Sequence, residues 1–186
     1  MKEQTMDTPL TKDQEMSLLR LARKAITHYL EKGTPPAIEC GEEIFKQKRG
    51  AFVTLKIKEE LRGCIGYPIP FKSLADTIVD AAISAATKDF RFSPLQQKEL
   101  PLVKIEISVL SLPEPVHNLS EIEVGKHGII ITKGLNKGLL LPQVPLEWGW
   151  DRDTFLSHGC LKAGLDEDDW KKGVQVEKFS AQVFSE

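Results

Sequence analysis

The sequence predicts an α+β fold with packed helices on a mixed, mostly antiparallel sheet. Three observations carry this. Two apolar stretches, 53–66 and 128–141, are each broken by a short polar or glycine-rich turn and read as hairpins. Segments of helical period lie between them without the regular βαβα alternation of a doubly wound sheet. A chain of 186 residues, 41% hydrophobic and 28% charged, is also long enough to enclose a true core, as one larger domain or two small ones.

In chain order, residues 1–10 read as a loose tail. Thr11-Lys12-Asp13-Gln14 then has capping-box spacing, a hydroxyl and an amide satisfying the first helical donors. The spacing predicts an amphipathic helix with Leu18, Leu21, Ala22, Ala25 and Tyr29 on one face, stopped by Gly33 and Pro35-Pro36. Val53, Leu55 and Ile57 alternate with Thr54, Lys56 and Lys58. Lys58-Glu59-Glu60 turns the chain into a second strand that carries Leu61-Arg62-Gly63-Cys64-Ile65-Gly66. Ser73 caps the next helix, whose Leu74, Ile78, Ala82, Ala85 and Ala86 are mostly small, as close packing requires.

Val103, Ile105, Ile107 and Val109 mark a half-buried strand that ends at Pro113 and Pro115, and 113–126 reads as a polar connection. Gly128-Ile129-Ile130-Ile131, a turn from Gly134 to Gly138, and Leu139-Leu140-Leu141 form the second hairpin. Asp151 caps a short helix bearing Phe155, Leu156 and Cys160 and closed by Gly164. Phe179, Ala181 and Val183 make a final strand.

Composition excludes several function classes. The 25 basic and 27 acidic residues nearly balance and form no long run of like charge, so no nucleic-acid footprint is visible. No apolar run reaches the roughly 18 residues of a membrane span, and the polar start lacks a secretory core, so no membrane association and a cytoplasmic location are expected. Cys40, Cys64 and Cys160 are odd in number and widely separated, which points to reduced thiols. The glycines at 125–128 and 134–138 lack nucleotide-loop spacing, and no metal motif of recognised spacing occurs; neither a cofactor nor a metal is expected.

The segment 61–66 is the leading candidate site. In an extended strand Arg62 and Cys64 share a face, so the guanidinium can favour the thiolate, and both are candidate catalytic residues. Gly63 and Gly66 let a ligand approach the backbone. The competing reading is a small cysteine in a glycine-rich corner, its arginine serving a structural ion pair. Asp89 and Arg91, with Phe90 and Phe92 facing the other way, form either a polar clamp beside a cleft or a brace for a loop. His127 or His158 can join Cys64 only if the fold brings them together. Trp148 and Trp150 either line a groove or seal a core.

At Leu61-Arg62-Gly63-Cys64-Ile65-Gly66 the sequence resembles the AMMECR-type family, also described as AmmeMemoRadiSam system protein A-like, whose hallmark is that hexapeptide. Gly50-Ala51-Phe52-Val53-Thr54-Leu55, Ala81-Ala82 through Asp89 to Arg91-Phe92, then Glu99-Leu100, Glu106 to Ser111, Gly125-Lys126-His127-Gly128, Leu140 to Val144, Cys160 to Leu165, and Trp170 agree in order, covering about residues 15–186. Tyr67 stands where the family commonly has Thr, and Phe90 where it commonly has Pro, which should loosen that loop. The resemblance implies a domain over 11–186 with two lobes flanking a cleft near the hexapeptide, where Gly63, Gly66, Asp89, Arg91 and His127 are the candidate binding residues. It further implies that a Memo-like protein and a radical S-adenosylmethionine protein are partners in a shared pathway, this chain handling a small-molecule or peptide ligand. It brings no accepted mechanism with it. A protein-interaction module and an RNA- or nucleotide-related modification factor are the alternatives.

Overall fold

A computed structural model describes residues 9–38 and 41–186; Cys40 and most of the expected tail lie outside them. The chain divides into two compact units, Met1–Leu110 with Gln182–Glu186, and Ser111–Ala181.

The first unit opens with α1 (Lys12–Lys32). The capping box forms as the spacing predicts, Thr11 and Gln14 each bonding the other's backbone, and Gly33 ends the helix at φ 74°. Leu18, Ala22 and Ala25 face inward as predicted, and Leu19 and Ile26 are buried beside them, whereas Leu21 and Tyr29 are only partly covered. The stripe is rotated because α1 packs against both a second helix and a strand.

A short α2 (Glu43–Lys46) precedes the hairpin of β1 (Ala51–Ile57) and β2 (Glu60–Tyr67). Its turn is tighter than expected. Only Lys58 and Glu59 lie outside the strands, both with positive φ, 52° and 64°, the conformation that glycine or asparagine adopts at least cost. α3 (Leu74–Thr87) follows, Ser73 capping it through the Asp76 amide, and 11 of its 14 residues are buried. β3 (Lys104–Leu110) pairs antiparallel with the other side of β1, so β2 is the outer strand of the order β2-β1-β3. Val103, Ile105, Ile107 and Val109 enter the core as the alternation predicts. Ser108 and Leu110 are buried as well, so the strand's end is covered on both faces.

In the second unit β4 (Glu114–Pro115), within the stretch read as a polar connection, pairs with β7 (Gln175–Ser185). β5 (His127–Lys133) runs between β7 and β6 (Asn136–Leu140), and the order is β7-β5-β6. The β5–β6 turn is Gly134-Leu135 alone. Gly138, read as part of the turn, is a strand residue opposite Ile131, and a Cβ there would stand 2.4 Å from the Ala163 nitrogen. This glycine lets the end of α5 (Arg152–Lys162) sit on β6. α4 (Val144–Trp148) leads into α5 across Gly149, and Asp151 caps α5 through Thr154. Ile129, Ile131, Phe155, Leu156 and Cys160 form the core. β7 buries Val176 and Phe179 in its second-unit part, while its end, Gln182–Ser185, belongs to the first unit and buries Phe184 with Val183 exposed, so strict alternation from Phe179 fails before the strand ends.

Candidate functional site

The hexapeptide lies in β2, and Arg62, Gly63, Cys64 and Gly66 each meet a different neighbour. Between Leu55↔Gly63 and Lys56↔Leu61 the register shifts, leaving Arg62 as the extra residue of a β-bulge. The bulge re-aims Arg62. Its guanidinium forms a two-pronged pair with Glu99, Nε to Oε1 at 2.9 Å and Nη2 to Oε2 at 3.1 Å, and donates to the Ser93 carbonyl at 3.0 Å. This bonding holds the Glu99 carboxyl below its ordinary pKa, with help from the Gln96 N–H. The expectation that Arg62 serves the Cys64 sulfur assumed an unbroken strand, and the bulge removes that premise.

Cys64 is half-buried. It stands opposite Thr54 on β1, with Sγ and Thr54 Oγ1 3.2 Å apart. Its backbone faces away from β1 and is taken up by Asp89 and Arg91. The Cys64 N–H donates to Asp89 Oδ2 at 2.8 Å, and Arg91 Nη2 donates to the Cys64 carbonyl at 3.3 Å. Asp89 is 5% exposed and accepts three further bonds, from the Arg91 N–H at 3.2 Å, Nε at 2.9 Å and Nη2 at 2.7 Å. These bonds outweigh the cost of burial and hold its carboxyl far below the usual carboxylate range, the Arg91 side chain being the largest cause. The arginine that lies against Cys64 is therefore Arg91. In the loop carrying it the Phe92 N–H bonds the Asp89 carbonyl at 3.0 Å, and Phe90 projects 95% exposed from the turn while Phe92 lies beneath Arg91.

Gly63 and Gly66 are both required by packing. A Cβ on Gly63 would stand 2.2 Å from the Ala85 carbonyl oxygen of α3, and one on Gly66 would stand 2.2 Å from the Phe52 ring. The room that a glycine frees at these positions is filled by protein.

A depression of about 410 Å³ borders the segment, lined by Arg62, Phe92, Ser93, Gln96, Lys98 and Glu99, all in the first unit. Cys64 is not among its lining residues. Gln96 and Lys98 are the residues that sequence reasoning missed, while Glu99 and Thr54 enter it only within the strand pattern and the stretches that carry the resemblance, with no role given to them. The spacing from Gln96 to Glu99 was a usable signal, because the two cap each other at the start of a 3-10 turn over Gln97–Leu102.

His127 belongs to the second unit, at the start of β5. Its Nδ1 accepts from the Glu123 N–H at 3.1 Å, which places the proton of the neutral ring on Nε2, and burial with the charges of Lys126 and Lys178 lowers its pKa. His158 and Cys160 share α5 but diverge. The imidazole stacks on Trp150 at 3.7 Å, Trp148 continues the stack at 6.2 Å, and the Cys160 thiol is buried in the core, its pKa raised by that burial. Among the described residues no three His, Cys, Asp or Glu side chains come together as a metal-binding group, and no helix is long and apolar enough to cross a membrane.

The family model described as AMMECR1 matches residues 19–184. The chain belongs to the AMMECR1 family. It is 49% identical over 191 residues to Protein MK0488 of Methanopyrus kandleri, covering 97% of this chain and 92% of that protein. It is 45% identical over 186 residues to Protein MJ0810 of Methanocaldococcus jannaschii, covering 95% and 92%. Among solved structures, the crystal structure of uncharacterized protein PH0010 from Pyrococcus horikoshii matches with a TM-score of 0.78 at 42% identity, covering 91% of this chain and 90% of that one. These AMMECR1 relatives carry locus-style names, so the match establishes the α+β fold and the family and assigns no activity.

Proposed function

We propose that this AMMECR1 protein is a ligand-handling component that holds a small anionic molecule non-covalently in the depression beside residues 61–66. Its resemblance-implied Memo-like and radical S-adenosylmethionine partners would supply the chemistry. The observation that carries the reading is the wall made by Arg62. Of the five guanidinium N–H groups three are used, two on Glu99 and one on Ser93, so the fork is fixed in place with two donors left. Lys98 adds an exposed ammonium, Gln96 and Ser93 add neutral polar groups, and Phe92 adds an apolar face. A pre-set fork, an exposed cation and an aromatic wall suit a carboxylate or phosphate on a compact organic body.

Thermal-shift measurements with a panel of carboxylates and phosphates test this. A stabilising anion should lose its effect in Lys98→Ala and Gln96→Ala and keep it in Cys64→Ser. Failure of every anion to stabilise the wild type, or an undiminished shift in Lys98→Ala, refutes the reading.

One observation favours a second reading, in which Cys64 is a nucleophile: the half-buried thiol meets the Thr54 hydroxyl while Arg91 sits on its own carbonyl. Alkylation by iodoacetamide near neutral pH separates the two. A rate at Cys64 well above that of an unfolded-state thiol supports catalysis; a rate at or below it leaves the thiol structural.

A further inference from the structure

The depression beside Arg62 carries a negative charge of its own. Glu99 lines it with a side chain 23% exposed, and the Arg62 guanidinium, then the Gln96 N–H, hold that carboxyl below its ordinary pKa, so it stays ionised. Its two oxygens are not equally used. Oε2 accepts from Arg62 Nη2 at 3.1 Å and from the Gln96 N–H at 2.8 Å, whereas Oε1 accepts only from Arg62 Nε at 2.9 Å. A carboxylate oxygen offers about two lone-pair sites, so Oε1 keeps one acceptor position open.

An anion on the two unused Arg62 donors therefore shares one guanidinium with Glu99. Two anions drawn to one cation repel each other across a few ångströms. Glu99 cannot escape by taking up a proton, because the guanidinium that attracts the ligand also keeps the carboxylate charged. Lys98, exposed and next to Glu99 in the chain, offsets part of the repulsion. A positive donor on the ligand itself, aimed at Glu99 Oε1, relieves the rest. Arg62 and Glu99 are in direct contact, so the open donors and the open acceptor lie on touching groups, and the ligand's two charges must be only a short carbon link apart. The volume of about 410 Å³ and the Phe92 ring leave room for an apolar body beside them.

We infer that the ligand is a zwitterion of amino-acid type: an anionic group taken by Arg62 and Lys98, a primary ammonium that donates to Glu99 Oε1, and a body against Phe92. The inference rests on the anion reading above and names the class of molecule within it. Isothermal titration calorimetry on the full chain tests it with two matched pairs, phenylalanine against its deaminated counterpart hydrocinnamate, and O-phosphoethanolamine against ethyl phosphate. The pairs separate carboxylate from phosphate as the anionic group. In the pair that binds, the amino member is tighter by at least about tenfold, the worth of one charge-assisted hydrogen bond. Trimethylating that ammonium, as in phosphocholine, keeps the charge, removes every N–H and loses most of the gain. Glu99→Gln abolishes the preference yet binds the deaminated member at least as tightly as the wild type does, because a negative charge has left the wall; a merely damaged site would lose both members. A wild type that binds the deaminated member as tightly as its amino partner overturns this inference and leaves the anion reading standing. So does a wild type that binds other anions but neither amino member, or a Glu99→Gln protein that keeps the full preference. A wild type that binds no anion at all overturns both.

Discussion

Replacing Asp89 should destabilise the first unit more than any surface substitution, by an amount that the geometry sets. Asp89→Ala removes all four bonds to the carboxylate and leaves the Cys64 N–H without its acceptor. A buried amide stripped of its partner costs about 1–3 kcal/mol. The pair with Arg91 adds about 1 kcal/mol only, because that guanidinium is 46% exposed and screened by water. The expected total is about 3 kcal/mol. In Asp89→Asn one oxygen still accepts from Cys64 but the amide NH₂ faces the Arg91 donors, so about 2 kcal/mol is expected. All three tryptophans, Trp148, Trp150 and Trp170, lie in the second unit, so their fluorescence reads that unit, while α1 and α3 supply helical circular dichroism from the first. Urea titration followed at 222 nm should show the midpoint falling by about 2 M at a slope of roughly 1.5 kcal/mol/M. The sign with pH follows from the lowered carboxyl pKa: the contribution is present above the ordinary Asp range near pH 4 and is lost as pH falls toward the folded value. The gap between wild type and Asp89→Asn should therefore narrow as pH drops below about 4. A loss under 0.5 kcal/mol for Asp89→Ala, roughly what a plain surface change costs, would refute the reasoning.

Gly63→Ala sets a methyl group 2.2 Å from a backbone oxygen of α3 that no rotamer can move, so about 2–4 kcal/mol should be lost in the same titration. Lys58→Asn with Glu59→Gly should gain about 0.5–1 kcal/mol, because both positions have positive φ and the exposed Glu59 bond to Lys104 contributes little; a net loss would show the turn to be relaxed as it stands. Cys160, fully buried with its pKa raised, should remain unmodified by iodoacetamide in the native state while Cys64 reacts, as peptide mapping can show.

What could be read from the sequence divides along local and non-local lines. The capping box at Thr11, the Ser73 and Asp151 caps and the alternation of Val103 to Val109 depend on residues a few positions apart, and each appears as expected. The hexapeptide's location as a strand was legible for the same reason. The orientation of its side chains was not, because a single extra residue decides it. With Ile57 opposite Glu60, an unbroken register would set Cys64 against Val53 on the core face; the bulge at Arg62 sets it against Thr54 instead. Nothing in Leu-Arg-Gly-Cys announces that bulge, which is stabilised from 37 residues away by Glu99. Gly63 and Gly66 likewise invite a ligand when read alone and are explained only once α3 and Phe52 lie against them.

The bond from Cys64 to Asp89 has a consequence beyond stability. β2 ends the first unit's strand order, and an outer strand offers its free amides and carbonyls to any passing chain. At Cys64 both are already spoken for by a carboxylate and a guanidinium, which occupy the place of a neighbouring strand without providing an edge of their own. The bulge at Arg62 breaks the template one step earlier. The segment 61–66 thus carries its own guard against edge-to-edge pairing, built into an apolar, glycine-rich strand at the margin of its sheet.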